Sequence, residues 1–321
     1  MSEQCGVGHL LWEGIGNSGT GLANAWNTCL FFIGLTYGIS LLTGNFSQVD
    51  KLWSVVPWVY AWILVNDSRT LLMAIVTTVW GLRLSYNFNR RGGYSWPPWS
   101  GEEDYRWAIL QRGDYIAALK NPVVWHIFNF VFISFYQNVL LLLIATPSMV
   151  AHLVASNDKQ DCFGNNNHPL NFLDFLAAMI LLGLVVVETL ADNAQFAFQT
   201  EKYRRKNAGE PLDGEYKDGF LQSGLFAICR KPNYAAEQAI WCTYYLFSVA
   251  ALWTVESLSL TSKLFNASIL GCLLLMSLFQ GSGHMTEYVT ISKYPAYVEY
   301  QKQVPLYLPN PFGSGTKSKS T

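Results

Sequence analysis

The chain has 321 residues, 51% of them hydrophobic and 15% aromatic, with only 13% charged and a net charge of -1. Soluble domains carry roughly 25% charged residues, so this composition argues against an ordinary soluble protein. With no basic block that resembles a nucleic-acid patch, it also argues against a nucleic-acid binder.

Apolar runs of membrane-crossing length recur along the chain. They predict seven spans, at about 22–44, 52–66, 69–88, 123–147, 172–191, 235–255 and 264–280, the second being short. The fold expected is all-α, a polytopic helical bundle formed as a single membrane domain over 1–321. The amino-terminal half, 1–150, is expected on the substrate side. The opening "MSEQCGVGHLLWEGIGNSGTG" carries no cation, so the first span itself is expected to act as the targeting signal. Within it, "GIGNSG" matches GxGxxG. It has too few residues upstream for a βαβ unit, so a flexible Gly-rich leader is the better reading.

Most Lys and Arg residues fall in 89–122, 192–234 and the tail after 280. With seven spans all three segments share one face, which the positive-inside rule makes cytosolic. The amino terminus is then lumenal and the carboxyl terminus cytosolic. Cys5 and Cys162 would both be lumenal and free to pair, a question the sequence leaves open. The six cysteines show no CxxC and the five histidines no i, i+3 or i, i+4 spacing, so no metal site is expected.

Ionisable residues inside spans are costly and by default face a bundle interior or a watery cavity. Four places qualify. "VDKLWS" puts Asp50 and Lys51 at a cytosolic lip, where a salt bridge of little energetic value is the alternative reading. "WGLRLSYNFNRR" puts Arg83 and Tyr86 near the end of the third span, where Arg83 alone would snorkel. "VVVETLADNAQFAF" carries Glu188, Asp192 and Gln195 at i, i+4 and i+7, hence on one helix face. If that ladder only bonded helices, each contact would return about 0.6 kcal/mol, little for burying two carboxylates. "ICRKPNYAAEQAIW" brings Arg230, Lys231, Asn233, Tyr234 and Glu237 to the start of an apolar helix. Pro232 and Asn233 alone read as a helix start and cap, but a cap needs none of the others. A helix amino terminus with adjacent cations is a phosphate site in waiting. The run "KYRRK" at 202–206 reads as a solvated helix end or as a further phosphate contact. All four places are expected at the cytosolic ends of their spans, around one polar pocket.

These segments resemble the DUF1295 group of the steroid 5α-reductase-like superfamily. "VDKLWS", "WGLRLS" and "GEEDYRW" resemble its first half; "ETLADNAQFAF", "SGLFAICRKPNYAAE" and "TEYVTISKYPAY…PLYLP" resemble its second. The resemblance implies a carboxyl-terminal half, 170–310, that wraps NADPH without a Rossmann domain. It also implies a membrane oxidoreductase that reduces a conjugated carbon–carbon double bond of a steroid or other lipid entering from the bilayer. Carried over by motif, Asp192, Arg230, Asn233, Tyr234 and Glu237 are cofactor-site residues. Glu188 stands where many relatives have Asn, Lys231 where the usual motif has His, and Glu287 where reductases often carry Tyr. Related steroid reductases take a Glu and a Tyr from early spans for the carbonyl, and that pair does not transfer here. Tyr86 and Tyr60 are the expected donors, with Asp50 as a partner. The superfamily also contains methyltransferases that use a similar motif around S-adenosylmethionine, and a non-catalytic membrane protein is the third alternative. The terminal "KSKST" resembles a dilysine retrieval signal, which points to the endoplasmic reticulum membrane.

Overall fold

A computed structural model describes residues 5–156, 160–164 and 168–308. The terminal "KSKST" lies outside the described residues. Among these the chain is helical and contains no strand. In order the helices are α1 (Val7–Gly16), α2 (Gly21–Thr43), α3 (Val56–Ile63), α4 (Ser68–Asn89), α5 (Tyr105–Gln111), α6 (Pro122–Phe128) and α7 (Gln137–Ile144). They continue with α8 (Thr146–Ala155), α9 (Gln160–Phe163), α10 (Phe172–Asn207), α11 (Gly214–Asp218), α12 (Pro232–Trp253), α13 (Leu260–Leu264), α14 (Ile269–Lys293) and α15 (Tyr297–Gln303).

Local chemistry sets the helix ends. Thr20 caps α2 by accepting from the Ala23 amide, and Gly44 closes it in the left-handed region at φ 69°. Asp67 and Thr70 form a reciprocal capping box at the start of α4. Asn121 caps α6 with Pro122 in the first position.

Among the described residues, five helices are long and apolar enough to cross a membrane: Gly21–Thr43, Ser68–Asn89, the continuous stretch Pro122–Ile144, Phe172–Asn207 and Ile269–Lys293. This makes the chain a multi-pass membrane protein by length and composition, and five of the seven expected runs are matched by such helices. The run at 52–66 yields only α3, whose eight residues rise about 12 Å, too short to cross by itself. α12 has the length, with 22 residues, but Asn233, Glu237, Gln238 and its tyrosines dilute its apolarity. α10 runs on to Asn207 and α14 to Lys293, both well past their expected ends.

The chain divides into two compact units. The first comprises residues 1–183 and 240–277, the second 184–239 and 278–321. In the first unit, Leu71, Ile75, Val79, Leu82 and Tyr86 are exposed along one stripe of α4. A continuous apolar outer face of this kind belongs against lipid. Inside the unit Trp80 meets Trp241 edge-on at 4.9 Å. Buried Arg69 at the start of α4 grips Asp174 at the start of α10 through Nε and Nη2, at 2.8 and 3.0 Å. It also donates to the carbonyls of His168 and Pro169.

Between α6 and α7 the helix widens into a π segment, Asn129–Tyr136. Its i→i+5 bonding brings Asn129 and Ser134 round by one turn. Asn129 and Asn138 donate to Ser40 and Thr36 of α2. Buried side-chain oxygens of Asn129, Ser134 and Asn138 have no hydrogen-bond partner among the described residues.

Candidate functional site in the second unit

The second unit is built around the amino terminus of α12. Its first ladder bond runs from the Ala235 amide to the Lys231 carbonyl, so the amides of Asn233 and Tyr234 precede the ladder. The Asn233 side chain donates from Nδ2 to Asp192 Oδ1 at 3.2 Å. This brings together two segments 41 residues apart in sequence. Glu188, Asp192 and Glu237 are all nearly buried, at 4%, 3% and 6% exposure. The Lys231 ammonium lies 5.3 Å from the centre of the Tyr234 ring, a cation–π contact. That ring and the Phe279 ring also meet edge to face, with centroids 4.9 Å apart.

Arg230 has another engagement. Its Nε and Nη2 grip the two oxygens of Glu287 at 2.6 and 3.1 Å, the bidentate fork that makes such pairs strong. Its Nη1 donates to the carbonyls of Gln301 and Val304. Glu287 also accepts from Tyr297 at 3.0 Å and from Gln301 at 2.8 Å. The backbone completes the attachment, since the Arg230 and Lys231 amides donate to the carbonyls of Pro305 and Leu306. Tyr300 and Tyr307 anchor the same segment on the carbonyls of Phe226 and Phe279. Residues 297–307 are therefore a strap, fastened by Arg230 to the segment just before α12 and by Glu287 to α14. Gly283 lets it lie close, because a Cβ there would stand 2.2 Å from the Tyr307 hydroxyl.

Three of the four "KYRRK" cations have local partners. Lys202 is buried and donates to the Gly219 carbonyl and the Tyr294 hydroxyl. Arg204 bridges Glu201 and Glu210, and Arg205 bridges Glu201 and Asp213.

The expected proton-donor side belongs to the first unit. Tyr86 is 66% exposed on the outer stripe of α4, with the Arg90 guanidinium 5.5 Å from its ring centre. Tyr60 is fully buried; its polar neighbour is the Cys29 thiol, and its hydroxyl has no nitrogen or oxygen partner among the described residues. Asp50 accepts from Trp107 Nε1 at 2.9 Å. Around it "VDKLWS" and "GEEDYRW" clamp each other. Lys51 donates to the carbonyls of Pro98 and Ser100, and the Asp104 amide donates to the Ser47 hydroxyl. Burial, and then the neighbouring Asp104 carboxylate, push the Asp50 pKa up. Burial would raise Asp104 too, but Arg106 outweighs it and holds Asp104 below the usual carboxylate value.

Two features escaped the sequence reading. The Arg230–Glu287 pair joins residues 57 apart, and only the placement of Glu287 in an apolar helix hinted at it. The Arg69–Asp174 pair joins residues 105 apart, with no local signal at all. The question left open about Cys5 and Cys162 is answered: they form a disulfide.

The family model described as "Protein of unknown function (DUF1295)" matches residues 36–304. An uncharacterized protein of Schizosaccharomyces pombe is 31% identical over 313 residues, covering 90% of this chain and 82% of its own length. No solved structure matches. On this match, which runs from "VDKLWS" through "TEYVTISKYPAY", the chain belongs to the DUF1295 family, a relative of the steroid reductase-like enzymes.

Proposed function

We propose that the second unit binds NADPH at the amino terminus of α12, and that the protein reduces a conjugated carbon–carbon double bond of a steroid or other lipid. The observation that carries this reading is the Asp192–Asn233 hydrogen bond, which joins two of the motif segments that the family resemblance assigns to the cofactor. The donor set fits. Carboxylates and an amide at Asp192, Glu237 and Asn233 suit ribose hydroxyls and a carboxamide. Lys231 and the leading amides of α12 suit a phosphate. Arg230, occupied by Glu287 and the strap carbonyls, acts in this reading by holding the strap rather than by meeting phosphates itself. The exposed pairs of Arg204 and Arg205 are weakly held and can turn to an anion.

When bound, NADPH supplies a hydride. The charge that then develops on the substrate carbonyl needs a hydrogen-bond donor or acid. We place that role among Tyr60, Tyr86 and Asp50. Tyr60 is favoured, because it is enclosed and its hydroxyl has no nitrogen or oxygen partner among the described residues. The topology proposed keeps seven crossings, with α3 and the turns before it as the second and α12 as the sixth, the amino terminus lumenal and the carboxyl terminus cytosolic. The Cys5–Cys162 disulfide supports that orientation, since disulfides persist in oxidising compartments. The endoplasmic reticulum membrane is the site proposed.

One observation favours a second reading. Glu188, Asp192, Glu237 and Glu287 are all nearly buried in this unit, and the Arg230 charge is matched to Glu287. Carboxylates gathered in one unit suit the cationic sulfonium of S-adenosylmethionine, the cofactor of the superfamily's methyltransferases. Thermal shift of the purified full chain with NADPH, NADH and S-adenosylmethionine separates the readings. Stabilisation by NADPH supports the reductase and stabilisation by S-adenosylmethionine the methyltransferase. A response to none of them leaves a non-catalytic protein.

A further inference from the structure

Away from both candidate regions, the first unit brings three sulfur atoms together. Cys242 Sγ of α12 and Cys272 Sγ of α14 are 3.0 Å apart, and Met276 Sδ lies 3.9 Å from Cys242 Sγ. Cys272 and Met276 are one turn apart and share a face of α14. A separation of 3.0 Å is about 1 Å longer than a disulfide bond of roughly 2.05 Å, and closer than two unbonded sulfurs ordinarily rest. Cys29 and Cys229, the other free cysteines, are both buried and have no such partner. Access comes from the outside of the unit: Cys242 is partly exposed, and Met276 is 37% exposed among the apolar side chains of α14.

We infer that Cys242 and Cys272 are a dithiol–disulfide couple, a redox modification site within the membrane-crossing layer, oxidised by lipid-soluble peroxides. Composition selects that class of oxidant. Met276 lies against Cys242, and Leu270, Leu273 and Met276 are exposed apolar side chains of α14, a surface that an organic hydroperoxide reaches by partitioning into lipid. The chemistry balances in two steps. The Cys242 sulfur attacks the peroxide O–O bond, becoming a sulfenic acid and releasing the alcohol. The Cys272 sulfur then attacks the sulfenic sulfur, forming the S–S bond and releasing water. In total two thiols and one hydroperoxide give one disulfide, one alcohol and one water. The short Sγ–Sγ distance favours the second step over further oxidation to the sulfinic acid. The product staples α12 to α14. Those helices also carry Asn233 and Glu287, although the thiol chemistry does not depend on the proposed cofactor.

The test treats the full chain in lipid nanodiscs with cumene hydroperoxide, then alkylates and maps peptides by mass spectrometry. Cys242 and Cys272 are expected to lose alkylation together and to appear as one cross-linked peptide that dithiothreitol releases, while Cys29 and Cys229 stay alkylatable. In Cys272→Ser, Cys242 is expected to go on to the sulfinic acid with no cross-link. Independent loss of the two thiols in the wild-type chain would overturn the inference. So would a cross-link from either of them to Cys29 or Cys229, or full alkylation of both at a dose that has already converted Met276 to its sulfoxide. These readouts come from the wild-type protein and do not depend on a variant folding.

Discussion

Replacing Glu287 with alanine removes four hydrogen bonds at once: those from Arg230 Nε and Nη2, from the Tyr297 hydroxyl and from the Gln301 amide. Arg230 keeps only backbone carbonyls for its charge. The side chains of the pair are 10% and 6% exposed, so solvent replaces little of what is lost. Breaking a buried ion pair from one side costs about 3–5 kcal/mol, and here that cost falls on the strap at 297–307. Trypsin reports it, because Lys302 is exposed on α15 but must leave the helix to be cut. When closing is fast, cleavage follows the open population. A cost of that size raises cleavage at Lys302 by roughly a hundred- to five-thousand-fold. Glu287→Gln should recover little, because its new amide faces the donors of Arg230 and Gln301. The cycle of Arg230→Met, Glu287→Leu and the double variant should show a coupling of about 2 kcal/mol or more. An increase below about ten-fold in Glu287→Ala, or simple additivity in the cycle, would refute the strap argument.

Tyr60→Phe should leave stability unchanged or raise it slightly, since the hydroxyl it removes is buried without a nitrogen or oxygen partner. If Tyr60 is the donor, the same variant loses turnover while its melting temperature holds. Gly283→Val puts carbon against the Tyr307 hydroxyl, and should loosen the strap in the trypsin assay without lowering the first unit's melting temperature. The carboxylates of the clamp predict opposite pH effects. Asp50 has a raised folded pKa, so its contribution is fully present below its unfolded value and is lost as pH rises through the folded one. Asp104 has a lowered one, so its contribution is present above the unfolded value and is lost as pH falls through the folded one. Asp50→Asn should therefore be as stable as wild type or more so at neutral pH, and Asp104→Asn less stable; denaturant melts from pH 3 to 8 check the signs. The reverse order would contradict the clamp.

Hydropathy carried much of the fold into the sequence. The helices at 21–43, 68–89, 122–144 and 172–207 answer to runs that are apolar on every side, as a lipid-facing bundle requires. At 52–66 the helix is shorter than the apolar run, because Trp, Tyr and Val look the same to a hydropathy window in a turn as in a helix. Hydropathy failed at the far ends of α10 and α14, where protein contacts rather than lipid support the helix. In the candidate site, Asp192 and Asn233 were legible because both lie in compact motifs. The role of Arg230 was not. Beside Lys231 it reads as a phosphate ligand, and only the fold brings Glu287 to it. The orphaned oxygens of Asn129, Ser134 and Asn138 were equally invisible, since they depend on how the π segment faces α2.

The central claim is that the α12 amino terminus, with Asp192 and Asn233 held together, binds the cofactor. The most direct test is a fluorescence titration of NADPH into the detergent-purified wild-type chain and Asn233→Ala, with melting temperatures measured alongside. The account predicts saturable binding to the wild type and a loss of affinity of about ten-fold or more in Asn233→Ala, equivalent to about 1.4 kcal/mol, at an unchanged melting temperature. Equal affinity in the two proteins, or no saturable binding to the wild type, would contradict it.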